Sequence, residues 1–429
     1  MKNMDQINTF QKYPAYKDSS VEWLGEVPES WELTRLGTRF LERRTKVSDK
    51  DFAPLSVTKQ GILPQLDSAA KTNDGDNRKL VKSGDFVINS RSDRKGSSGL
   101  SNLDGSVSLI NIVIEPKNLN PVFCNYLLKS DSFVEEFYRN GHGIVADLWT
   151  TLYDEMKSIK IAIPPLTEQI RIATFLDQKN AQIDQAIAQK ERLIELLKER
   201  RQILIHNAVT RGLDPKVRMK DSGVEWIGEV PEHWEVKRLK YATIMFRGKF
   251  THRPRNDERL YDGKYPFIQT GDVAKAGKFL FEYSQTLNEK GLKVSTLFPK
   301  GTIVITIAAN IGDISILDID ACFPDSIVGF KPTEWVGKDY LYNTLLSMKQ
   351  QFIGSTTKNT QMNLNVDRIG VNSIPIPPLE EQQEIALNIE SFVQKIATAI
   401  SLKQSEIEKL KEYKATLINS AVTGKIKVV

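Results

Sequence analysis

The stretch Ile163–Thr210 reads IPPLTEQIRIATFLDQKNAQIDQAIAQKERLIELLKERRQILIHNAVT, and its pattern returns without a gap 213 residues later, as Ile376–Thr423. IPPL recurs as Ile376–Leu379, the Glu168–Gln169 pair as Glu381–Gln382, and Ala208–Val209–Thr210 as Ala421–Val422–Thr423. Both copies carry one heptad frame. In the first, Leu176, Ile183, Lys190, Leu197 and Leu204 take one seam position, and Asn180, Ile187, Ile194, Arg201 and Ala208 the other. The matching sets in the second are Ile389, Ile396, Lys403, Leu410, Leu417 and Val393, Ile400, Ile407, Lys414, Ala421. Apolar residues at alternating spacings of three and four sustain a supercoiled helix seam. The cationic interruptions also coincide, Lys190 with Lys403 and Arg201 with Lys414. Polar seam residues cost stability and fix register. Two unrelated amphipathic helices have no reason to share their interruptions, so the copies read as one duplicated element.

A second repeat opens each half. Asp18–Leu36 (DSSVEWLGEVPESWELTRL) and Asp221–Leu239 (DSGVEWIGEVPEHWEVKRL) are identical at 14 of 19 positions. The offset there is 203, so the second half gained ten residues inside its globular part. The chain is a tandem duplication: start motif, globular part, long helix, then all three again. Connectivity sets an expected topology. Ten residues, Arg211–Lys220, join the first helix to the second start motif. A helix of about 45 residues, rising 1.5 Å each, is about 65 Å long and would hold the two globular parts apart. The second helix finds its matching seam on the first. Packed antiparallel, it brings the tail Gly424–Val429 back to the N-terminal segment Met1–Lys17.

Within the globular parts, short strand-like runs lie between Gly and Asn-Asp-Gly punctuation: Asp85–Asn89, Val107–Ile114, Phe267–Gln269 and Thr302–Ile307, with a helix expected at Asp339–Gln351. Strands and helices mix without a βαβ rhythm, which reads as α+β. Pro164–Pro165 and Pro377–Pro378 stop each globular part, and Thr167 is the expected N-cap of the first helix.

Composition sets bounds. A chain of 429 residues suggests about three domains. Hydrophobic content of 40% and charged content of 26% are ordinary for a soluble protein. The polar opening MKNMDQINTFQK does not read as a secretory signal, and the longest apolar run, near Thr302–Ala309, is too short to span a bilayer. Cys124 and Cys322 are too few for a disulfide framework or a cysteine-rich zinc site. These features predict a cytoplasmic protein without a membrane partner. The net charge of +5 permits a nucleic-acid partner without demanding one.

Catalytic signatures are missing together. There is no Walker-type phosphate loop, no G-x-G-x-x-G and no Asn-Pro-Pro-aromatic motif of amino-methyltransferases. His142, His206, His233 and His252 are scattered, none at metal-ligand spacing from another His or Cys, so no metal site is assigned. The reading is a binding scaffold. The basic loop of the first half is Asn89–Gly99 (NSRSDRKGSSG), with Asn89, Arg91, Arg94 and Lys95; Lys59–Gln60 is a second candidate. In the second half Phe246–Arg255 (FRGKFTHRPR) supplies Arg247, Lys249, His252, Arg253 and Arg255, and Lys358–Asn363 supplies Lys358, Asn359 and Gln361. Cations neutralise phosphates, while Arg, Asn and Gln pair with base edges. A single such loop is as well read as a solvated surface; two matched domains, each with one, shift the balance to nucleic acid. Trp23, Trp31, Trp226 and Trp234 recur in both start motifs and read as structural, docking a helix tail onto the following domain, with base stacking as the alternative.

With these features in place, the chain resembles the specificity subunits of type I restriction–modification enzymes. VEWLGEVPESWELTRL, VEWIGEVPEHWEVKRL, the two IPPLxEQ helix starts, the AVT helix ends and NTQMNLNVDRIGVNSIPIPPLEEQ at Asn359–Gln382 carry the resemblance across essentially the whole chain. It implies two α/β target-recognition domains separated by a long antiparallel two-helix coiled coil, arranged as a pseudo-two-fold repeat. The expected boundaries are 1–162 and 221–375 for the domains, and 163–220 and 376–429 for the helices with linker and tail. Each domain would read one half of a bipartite site in double-stranded DNA. The helices would be a spacer and docking surface for two modification subunits, which use S-adenosylmethionine to methylate adenine. Restriction/translocase subunits, driven by ATP with Mg, would complete the assembly, and this chain itself would be non-catalytic and hold no cofactor. The alternative is a coiled-coil DNA-binding or scaffold protein outside restriction–modification.

Overall fold

The computed structural model describes residues 10–66, 74–143, 149–354 and 364–428. The chain divides into two compact units, one of Met1–Glu191 with Lys403–Val429, the other of Arg192–Leu402. Two long helices, Leu166–Arg211 and Leu379–Val422, each contribute one part to each unit.

The first unit is built on an antiparallel sheet with strand order Ser98–Leu100, Phe86–Asn89, Asn111–Pro116, Phe40–Glu42. Alternation drives it. Phe86, Ile88, Ile112 and Ile114 face a core shared with helices Pro121–Lys129 and Asp131–Arg139, whereas Val87 and Val113 face a smaller cluster with Leu55, Ile62, Val81 and Val107. That smaller cluster lies under a second sheet (Gly105–Val107, Arg78–Val81, Lys46–Val47) and the hairpin Leu55–Thr58/Gly61–Pro64. The second unit repeats the principal sheet as Ile314–Leu317, Ile303–Thr306, Ile327–Pro332 and Thr243–Arg247, then adds Phe279–Leu280 in parallel at the edge beside Ile314–Leu317. A four-stranded sheet follows in the order Gln285–Leu287, Tyr261–Phe267, Ala321–Cys322, Leu297–Phe298. The fold is α+β, and the frame occurs twice.

The duplicated sequences become duplicated contacts. The start motifs form hairpins Tyr16–Asp18/Glu26–Pro28 and Met219–Asp221/Glu229–Pro231. The strand after each motif pairs antiparallel with the strand entering the long helix: Glu32–Arg35 with Lys160–Ile163, and Glu235–Arg238 with Ser373–Ile376. The helices pack antiparallel in each unit. In the first, Asp184 meets Lys414 at 2.7 Å while Lys190, further along, meets Glu406 at 2.5 Å, further back. Ile183 and Ile187 share that unit's core with Leu410 and Leu417. In the second, Ile205, Ala208 and Val209 cluster with Ile385 and Ile389. Leu176, Ile194, Ile396 and Ile407 are buried seam residues, whereas Leu197, Leu204 and Ile400 are half-buried. Near the end of the first helix the buried position moves one residue on, from Leu204 to Ile205, as that turn meets Trp234 and Tyr340.

Four local expectations change. The strand expected at Phe267–Gln269 instead ends at Phe267, and Gln269 caps the short helix Thr270–Lys275. Val107–Ile114 is not one strand: a turn closed by Asn111, whose backbone N–H and side-chain amide both donate to Ser108 O, sends Gly105–Val107 and Asn111–Pro116 to different sheets. The helix expected at Asp339–Gln351 is two, Lys338–Ser347 and Lys349–Gly354, breaking at buried Met348. The first long helix starts at Leu166, ahead of Thr167, because Pro165 O already accepts from the Glu168 and Gln169 N–H groups.

Candidate nucleic-acid interface

Both start motifs fix the helix ends. Trp31 and Trp234 are buried. Trp31 Nε1 donates to Glu168 Oε1 at 3.2 Å, and Tyr13 OH donates to the same carboxylate. Trp234 Nε1 donates to Glu381 Oε2 at 3.0 Å, where His233 Nε2 is also 2.9 Å away. Each ring also covers a helix tail. A Cβ on Gly212 (φ +74°) would lie 3.2 Å from Trp234, and one on Gly424 (φ +74°) 3.4 Å from Trp31. Glycine ends both helices because only it combines that left-handed backbone with so close a ring. These two tryptophans are therefore structural, as read from the sequence. The neighbouring glutamines complete the clamps. Gln169 takes Asn120 N–H on Oε1 and donates to Pro164 O, both at 2.8 Å; Gln382 takes Gly337 N–H and donates to Pro377 O and Trp335 O. The C-terminal tail closes on the start of the chain, with Lys427 N–H donating to Gln11 O and Lys425 Nζ donating to Leu24 O and Glu26 O.

On the first unit, Lys59 and Gln60 form the exposed tip of the hairpin Leu55–Thr58/Gly61–Pro64. That hairpin packs so closely on the strand after the basic loop that a Cβ on Gly99 would be 3.0 Å from Gly61 Cα. Lys129 Nζ, its pKa lowered by burial, donates to Lys59 O. The two candidate segments are thus neighbours. Arg91 is exposed, and its backbone bridges to Thr150. Arg94 lies 3.6 Å from Asp93, and Lys95 pairs with Glu135 at 2.6 Å. Asn89 differs from expectation. It is buried, its Oδ1 accepts from Arg91 N–H and its carbonyl accepts from Tyr138 OH, so it holds the loop rather than facing out.

On the second unit three arginines converge on one aspartate. Arg255 Nη2 lies 2.5 Å from Asp325 Oδ1, Arg253 Nη2 3.7 Å from Oδ2, and Arg247 Nε donates to Asp325 O at 2.6 Å. Arg253 also donates to Phe250 O and His252 O. One carboxylate among three guanidiniums leaves the cluster cationic. Lys249 is exposed beside it. His252 is turned elsewhere, to Asp257 at 2.8 Å, whose carboxyl is held well below its usual range chiefly by the hydrogen bond from Arg259. Lys358, Asn359 and Gln361 lie outside the described residues. The sequence reading missed Asn256, Gln269 and Gln285, which border a cleft of about 440 Å³ together with Arg255. They stand apart in the chain, and no local motif joins them.

The cationic sites occupy different places on the matched frame. In the first unit the loop leaves Phe86–Asn89; in the second the segment follows Thr243–Arg247. At the counterpart of that second place, after Phe40–Glu42, stands Arg43, taken up by Asp85 and Glu115 at 2.7 and 3.0 Å. Among the described residues no three His, Cys, Asp or Glu side chains gather as metal ligands, and no helix is long and apolar enough to cross a membrane.

Residues 231–411 match the family model described as the type I restriction modification DNA specificity domain. The putative type I restriction enzyme MjaX specificity subunit of Methanocaldococcus jannaschii is 24% identical, over 98% of both chains. A chain from a structure titled as the basis of complex assembly and conformational transition of the type I R-M system superposes with a TM-score of 0.69 at 17% identity, over 92% of this chain and 98% of that one. The HsdS subunit of Thermoanaerobacter tengcongensis gives 0.54 at 18%, over 93% and 98%.

Proposed function

We propose that this chain, whose residues 231–411 match the type I restriction modification DNA specificity domain, is the non-catalytic subunit that reads a bipartite site in double-stranded DNA. Each globular domain reads one half-site, and the paired helices dock the methyltransferase subunits. The observation that carries this reading is the duplicated frame with unlike cationic surfaces. Two readers of one sequence would keep their contact residues in equivalent places; two readers of different sequences share only the scaffold. The Arg247–Arg253–Arg255 cluster suits a phosphate, which would take the guanidinium donors that Asp325 leaves unused. Arg91 and Arg94 play the corresponding part on the first domain, beside the Lys59–Gln60 tip. S-adenosylmethionine, ATP and Mg are assigned to the partner subunits, and the restriction/translocase subunits join through them.

The test is an exchange. Replacing residues 243–372 with those of a relative of different specificity should change one half of the site methylated by the assembled complex and leave the other half intact. The chain alone should transfer no methyl group. An exchange that altered both halves alike would break the one-domain, one-half-site assignment.

A further inference from the structure

The cleft bordered by Arg255, Gln269 and Gln285 is built in a way the loop reading does not explain. Its floor is aromatic: Phe250 and Phe267 have ring centroids 5.0 Å apart, and Tyr261 lies 6.1 Å from Phe250. Its rim is polar and differs in burial from side to side. Gln269 is half-buried, with its backbone N–H bound to Asp272 Oδ2 at 2.8 Å. Its Nε2 donates to Gln285 Oε1 at 2.9 Å. Gln285 is exposed on the edge strand Gln285–Leu287, paired opposite Phe267. With its backbone held by Asp272, the half-buried glutamine fixes the exposed one through this single amide–amide hydrogen bond. Gln285 keeps one lone pair on Oε1 and both Nε2 hydrogens for a ligand. A glutamine amide so disposed is complementary to adenine in the major groove, accepting from N6 and donating to N7. An amide free to turn would offer Nε2 alone to the acceptors of guanine or thymine just as readily. The neighbouring Arg255 belongs to the cationic cluster on Asp325, so a backbone contact and a base contact adjoin.

Resting on the DNA-reading function above, we propose that Gln285 reads one adenine of the second half-site. Gln269 is the positioning residue that fixes its amide, and the Arg247–Arg253–Arg255 cluster grips the adjoining phosphate. The aromatic floor packs beneath the strand that carries Gln285 and the turn that carries Gln269, just after Phe267.

The experiment is selection from a duplex library randomised one position at a time, using the full chain assembled with its methyltransferase subunits, at several salt concentrations. Gln285→Ala should lower the preference for adenine at a single position by about 5- to 150-fold, with the other positions and the salt slope unchanged. Gln269→Ala should relax the same position, less completely. Gln285→Glu should move the preference there toward cytosine, whose N4 donates to a carboxylate, a gain that a merely structural role cannot produce. Arg255→Ala should weaken all sequences alike and lower the salt slope by about 1. If Gln285→Ala and Gln285→Glu left every base preference as in the wild type, the assignment of Gln285 would be overturned while the DNA-reading function stood. A wild-type complex that selected no sequence would overturn that function itself.

Discussion

Gln169 and Gln382 show how much a single side chain holds in this fold. Each is buried and bridges backbone groups that no helix or sheet ladder satisfies, at the point where a globular part hands the chain to its long helix. Removing the amide orphans those groups, each at about 1–3 kcal/mol. Gln382→Leu should therefore destabilise the second unit by at least that much, measured by denaturant unfolding; an unchanged midpoint would show that water replaces the amide. His206 gives a pH dependence. Burial, then the nearby Arg211 charge, lowers its pKa from the usual value. The unfolded chain thus binds the extra proton more readily, so stability is full above about pH 6.5 and falls as pH drops below it. Its counterpart is Asn419. His206→Asn should remove part of the loss in Tm between about pH 7 and pH 5, and equal losses in the two proteins would count against the burial argument.

At the scale of elements, the seam was legible because heptad spacing constrains every third or fourth residue, and the start motifs because they repeat almost unchanged. The partner of the seam cations was not legible. Lys190 and Lys403 both reach Glu406, at 2.5 and 3.0 Å, and together hold its carboxyl below the usual range. Sequence spacing relates Lys403 to Glu406 but says nothing of Lys190, which comes from the other helix. Glu406→Lys would gather three cations there and should lower the stability of the first unit, read by thermal unfolding, whereas Glu406→Gln should change the midpoint little, since solvent screens the pair. The candidate DNA-facing residues were legible only as charge. Arg91 is exposed as a basic loop suggests, yet Asn89 in the same run turns inward. The Gln269–Gln285 pair joins the strand Gln285–Leu287 to the turn that follows its neighbour Tyr261–Phe267, and that adjacency depends on the sheet order, which no local pattern encodes.

For the whole molecule, the two helices offer a way to alter spacing without touching either reading surface. Inserting seven residues into both, after Gln189 and after Leu402, keeps the heptads in phase and lengthens each helix by about 10 Å. That length corresponds to roughly three base pairs, which also turn one half-site by about 100° about the duplex axis. Strong loss on the parental site is expected, with partial recovery on sites whose spacer is two to three longer and unchanged half-site sequences. A spacer series scored by methylation decides it; continued preference for the parental spacing would mean that something other than the helices sets the distance.

The first unit is discontinuous in the chain. Leu417, Ala421, Val422 and Ile426 lie in the same core as Trp31, Leu176 and Ile183, yet all of Arg192–Leu402 separates the two contributions. A ribosome makes most of the N-terminal unit first but delivers its last piece only after the whole of the second unit. The usual order of domain completion is therefore reversed: the second unit, one uninterrupted stretch, has everything it needs earlier. Until the final segment emerges, the apolar side chains awaiting it stay uncovered. A nascent chain stalled after Leu402 should expose the N-terminal unit to protease while Arg192–Leu402 resists. Premature stop codons in the last helix would then disable the half of the protein encoded furthest from them.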